Sequence, residues 1–102
     1  MDNQHKKIAG YRDLSQVEID LMNKIKAHGA ATQALMYEVS THLSAQRIAA
    51  GPRPQYDASD AHSAEAERIN YAEPARWLAM ARTDFQTGVM KLVRAVAQPT
   101  TF

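Results

Sequence analysis

The sequence contains no cysteine, which excludes disulfide frameworks, thiolate zinc sites and cysteine nucleophiles, and fits a reducing cytoplasm. It also lacks an excess of charge. Twelve basic residues against 11 acidic ones leave a formal charge of +1, which argues against a protein that coats DNA through its phosphates. No apolar run approaches the roughly 20 residues that span a bilayer. The start, MDNQHKK, is not followed by the apolar stretch of a signal peptide. The expectation is a soluble intracellular protein, and 102 residues make one domain by length. A small domain hides only about two-thirds of its unfolded surface. A few long helices hide less, so self-association is a natural way to finish the burial.

What is present is mostly helical signal. Residues 1–13 form a polar arm interrupted by Ile8, Gly10 and Tyr11. Ser15 with Glu18 is a capping box, and Leu14 with Ile19 has the spacing of a hydrophobic staple. Beyond it, Met22, Ile25, Gly29, Thr32, Met36, Val39 and Leu43 recur on a seven-residue repeat, the spacing of a helix lying along another helix. This predicts a first helix over about 15–48. Gly29 interrupts the seam, either to allow close helix approach or at the expense of the middle turn. Pro52 and Pro54 place a linker at 50–60, with Gly51 as a helix-ending residue. A second helical piece is predicted over 61–72, capped by Ser59 or Asp60. Pro74 suits the first turn of a third helix, or a kink joining it to the second. That helix runs to about Gln98, is stopped by Pro99, and carries Leu78, Ala81, Phe85, Val89, Leu92 and Val96 as its apolar stripe. Strand patterns, internal repeats and low-complexity tracts are missing. The fold class is all-α: two long helices plus shorter helical pieces, assembled as an oligomer.

Two residues near the start stand out chemically. Tyr11 precedes the first helix cap by four residues, where it either anchors the arm on an apolar surface or offers a plate to a ligand ring. Lys26 follows the seam residue Ile25, so its stem flanks a helix contact, as a snorkelling rim lysine or as a phosphate-binding cation. Ser15 to Lys26 spans roughly 16 Å of helix. Tyr11 can join Lys26 of its own chain only if the arm folds back; otherwise a neighbouring subunit completes the pair.

The last helix carries a polar patch, Arg82-Thr83-Asp84 and Gln86-Thr87, around Phe85. A second face runs through Arg76, Met80, Thr83, Thr87, Met90 and Arg94. It either lines a small polar cavity between helices or is a solvated surface. His5, His28, His42 and His62 are too scattered for a metal motif and read as surface residues. No nucleophile elbow or glycine-rich phosphate loop is present, and nothing resembles an active site.

The segments HKKIAGYRDLSQVEIDLMNKIK and AEPARWLAMARTDFQTGVMKLVRAVAQP, about half the chain, resemble the bacteriophage anti-CBASS cyclic-nucleotide sponges. CBASS is a bacterial antiphage system in which an infected cell makes cyclic oligonucleotides that activate a lethal effector. The middle, roughly 44–68, carries little of the pattern. The resemblance implies a single cyclic-nucleotide-binding domain over 1–102 that assembles into a compact hexamer in the cytoplasm of the infected host. It implies capture of cyclic dinucleotides such as cyclic GMP-AMP between paired subunits, without cleavage and without cofactor, metal or catalytic residue. Its partners would be cyclic nucleotides and other copies of the chain, not DNA or RNA polymers or a membrane. The family's dinucleotide-pocket tyrosine and lysine match Tyr11 and Lys26. Some members also hold cyclic trinucleotides where three subunits meet, which the matching C-terminal segment assigns to Arg76 and Thr83, with Gln86 and Thr87 nearby. The alternative is a helical protein- or DNA-interaction module acting through its apolar seam. Near-neutral charge and the lack of a helix-turn-helix pattern count against its DNA version.

Overall fold

Ser15 and Glu18 do what the capping box demands in the computed structural model, which describes residues 12–54 and 63–100. The Ser15 hydroxyl accepts from the Glu18 amide at 3.2 Å, and the Glu18 carboxylate accepts from the Ser15 amide at 2.9 Å. From there α1 runs over Gln16–Ala50, close to the predicted span. Helix α2 covers Ala64–Ala72 and α3 covers Pro74–Ala97. The described residues are all-helical, with no strand among them.

Each helix ends on a left-handed residue. Gly51 follows α1 with φ 84°, Glu73 follows α2 with φ 49°, and Gln98 follows α3 with φ 50°. Such a residue turns its amide back onto the last turn and satisfies a carbonyl there. Accordingly the Glu73 amide donates to Ile69 O at 3.0 Å and the Gln98 amide to Arg94 O at 2.8 Å. Glu73 also opens α3, because its own carbonyl accepts from the amides of Arg76 and Trp77. Pro74 therefore sits at the first helical position, where its missing N–H costs nothing.

The start of α2 corrects the sequence reading. Its cap is Ser63, not Ser59 or Asp60, which lie outside the described residues. The Ser63 hydroxyl accepts from the Ala66 amide at 3.0 Å and donates to Ala50 O at 3.0 Å. It thus satisfies the start of α2 and the end of α1 together, which neither earlier residue is shown to do.

The chain divides into two compact units. The first combines residues up to Thr32 with those from Asp84 onward. In it Arg12, before α1, reaches Val96 near the end of α3, while Gly29 faces Val89 further back, so the two helices run antiparallel. Leu14 and Ile19, the expected staple pair, are both buried. The second unit spans Gln33–Thr83, and its core joins Ala50, Ala66 and Ile69, with Ala66 fully enclosed.

Candidate ligand-binding surfaces

Lys26 projects to solvent from α1, directly after the half-buried Ile25, so it holds the rim position that the seam implied. Tyr11 lies outside the described residues. Arg12 forms a two-pronged ion pair with the Glu18 carboxylate, one arm at 3.2 Å, and donates to the Val96 carbonyl at 3.0 Å. Hydrogen bonding from Arg12, then from the Ser15 amide, holds the Glu18 carboxyl at about 2, well below the usual range. The reciprocal bond raises the Arg12 guanidinium above its ordinary value. Sequence reasoning missed this anchor. Its signal was modest: an arginine three residues before the cap, within reach of the capping-box glutamate.

The four residues assigned to a second site all lie exposed on α3. Arg76 and Thr83 belong to the second compact unit, and Gln86 and Thr87 to the first. Arg76 pairs with Glu73 at 3.3 Å and holds its guanidinium 5.9 Å from the centre of the Trp77 ring. The Thr83 hydroxyl donates to the Ala79 carbonyl at 3.3 Å, one turn back. His28 and His42 are exposed, while His5 and His62 lie outside the described residues. Among the described residues no group of histidine and acidic side chains is arranged to hold a metal ion, and no helix is long and apolar enough to cross a membrane.

Capped helices as the sole regular structure among the described residues, with Lys26 exposed at the rim of α1, define a small helical protein. Residues 3–97 match the family described as Acb2/Tad1, hairpin domain, and the chain belongs to that family. It is 51% identical over 106 residues to Anti-CBASS protein 2 of Pseudomonas phage JBD67, a match that covers 97% of each chain.

Proposed function

We propose that the protein is a phage anti-CBASS factor that sequesters cyclic oligonucleotide signals, such as cyclic GMP-AMP, in the cytoplasm of the infected bacterium without cleaving them. The observation that carries this reading is the near-full-length relationship to a phage protein named for anti-CBASS action. Lys26, standing exposed at the rim of the α1 seam, supports it, because a phosphate needs a cation that water and ligand can reach.

The binding groups act in pairs. A cyclic dinucleotide has two phosphates, two bases and an approximate two-fold axis. A two-fold subunit contact presents one Tyr11 and one Lys26 from each chain, giving two plates and two cations. Stacking contributes about 1–3 kcal/mol per base. Each lysine adds a point charge whose pull weakens as salt rises. Capture that outcompetes a host effector calls for nanomolar binding, about −12 kcal/mol. Enclosure by helices and backbone hydrogen bonds supplies what stacking and charge do not.

Such enclosure requires an oligomer, for which we propose the hexamer. Trp77, Met80, Phe85, Met90 and Leu92 of α3 are all exposed in the single chain. Apolar surface of this kind is what a subunit contact covers. Cyclic trinucleotides would bind separately, at Arg76, Thr83, Gln86 and Thr87 contributed by three subunits.

Purified protein mixed with cyclic GMP-AMP should deplete the free ligand, and heat should return it chemically intact. Recovery of a linear dinucleotide would make the protein a phosphodiesterase instead. Tyr11→Ala and Lys26→Ala should each weaken capture with the oligomer intact; unchanged affinity in both would remove this site assignment.

A further inference from the structure

The second compact unit contains a cleft of about 530 Å3 formed by the end of α1, α2 and the start of α3. Four arginines line it, Arg47, Arg53, Arg76 and Arg82, against a single carboxylate, Glu73. The whole chain is nearly neutral, with 12 basic and 11 acidic residues, so the cleft concentrates one sign of charge. Two of the arginines are occupied. Arg76 pairs with Glu73 at 3.3 Å, and Arg47 donates to the Gly51 carbonyl that follows α1. Arg53 and Arg82 have no hydrogen-bonding or ionic partner among the described residues.

Guanidinium groups keep their charge at any working pH. Four of them on one cleft with a single carboxylate give it an excess of positive charge that favours an anion. Phosphate oxygens suit them best, because the planar fork of an arginine binds two oxygens at once. The remaining wall is mixed: Leu43 and Leu78 are apolar, while Ser44 and Asn70 add neutral hydrogen-bonding groups. The volume falls in the range of about 300–1,000 Å3 that holds small-molecule ligands.

We propose that this cleft binds a small phosphorylated molecule carrying at least two phosphate charges and a less polar body, seated on Arg53 and Arg82. The site is built by one chain. It shares no residue with the Tyr11 and Lys26 site, and of the trinucleotide set it contains only Arg76. On α3 the cleft is lined by Pro74, Ala75, Arg76, Leu78, Ala79 and Arg82, and Thr83, Gln86 and Thr87 are not among its lining residues.

Calorimetric titration of the full chain with inorganic pyrophosphate and with ADP tests the proposal. Both should bind, and the double variant Arg53→Gln, Arg82→Gln should lose about tenfold or more in affinity. Both positions are exposed, so the variant should melt as the parent does. Binding should persist in Lys26→Ala and in protein saturated with cyclic GMP-AMP, which separates this site from the proposed dinucleotide pocket. No binding of either probe, undiminished binding by the double variant, or competition by cyclic GMP-AMP would each overturn the proposal. Capture of a poly-glutamate peptide but of neither phosphate probe would overturn it in favour of a protein partner.

Discussion

Arg12 donates to the carbonyl of Val96 at 3.0 Å, across 84 positions of sequence. Because the same guanidinium grips Glu18, one side chain joins the segment before α1, the first turn of α1 and the last turn of α3. The chain that emerges from Tyr11 is thereby fixed at its next residue.

This anchor carries a pH signature. Glu18 titrates at about 2 when folded, against roughly 4.3 for an unperturbed glutamate. Its folded value is depressed, so its stabilisation is fully present above the ordinary value and is lost as pH falls through about 2. Thermal unfolding followed from neutral pH downward should show parent stability declining below about pH 4. Glu18→Gln should begin less stable at neutral pH and decline less over the same window. Parallel curves for the two proteins would show that the pair contributes nothing.

Gly29 occupies a seam position, yet a Cβ added there would lie 3.8 and 3.9 Å from the Val89 methyls, which is ordinary contact. Glycine inside a helix costs roughly 0.5–1 kcal/mol relative to alanine. Gly29→Ala should therefore raise stability by about that amount in urea unfolding. A lower midpoint would contradict this spacing.

Glu73 holds a left-handed conformation at φ 49°, which costs a side-chain-bearing residue about 1–2 kcal/mol. Glu73→Gly should relieve the strain and lose only an exposed pair with Arg76, a contact of the kind that contributes about 0–1 kcal/mol. The net effect should be neutral to stabilising by denaturant unfolding. Glu73→Val, with a branched side chain in the same conformation, should destabilise.

Ile69, 6% exposed, packs in one cluster with Ala50 and Ala66. Ile69→Ala should cost about 2–4 kcal/mol by equilibrium unfolding. Tyr71→Ala, two residues on at a position 91% exposed, should stay within about 0.5 kcal/mol.

Helix existence was legible because Ser15, Glu18, Gly51, Pro74 and Pro99 mark ends by local chemistry. The seam was legible only in part. Met22, Ile25, Gly29, Thr32, Met36 and Leu43 are buried or half-buried as expected, but Val39 is 40% exposed and Ser40 is half-buried in its place. A straight helix drifts about 20° per heptad from a strict seven-residue repeat. Drift alone does not account for Val39, because Leu43, further along with more of it, keeps its seam position. In α3 the expected stripe residues Leu78, Ala81, Val89 and Val96 are half-buried, but Phe85 and Leu92 are exposed, with Val93 half-buried beside Leu92. Of the candidate sites, the rim placement of Lys26 was readable from its neighbour Ile25. The arginine cleft was not, because 23 residues or more separate Arg47 and Arg53 from Arg76 and Arg82, and only folding of the second unit collects them.

The Ser63–Ala50 hydrogen bond and the shared residue Glu73 have opposite consequences for length change. The bond pins the two ends of the connection between α1 and α2, so residues added between them cost only loop-closure entropy, about 0.6 kcal/mol per doubling. Nothing separates α2 from α3 except Glu73, and one residue inserted there would re-phase α3 by about 100°. Insertions and deletions should thus accumulate among relatives in the first connection and be excluded from the second.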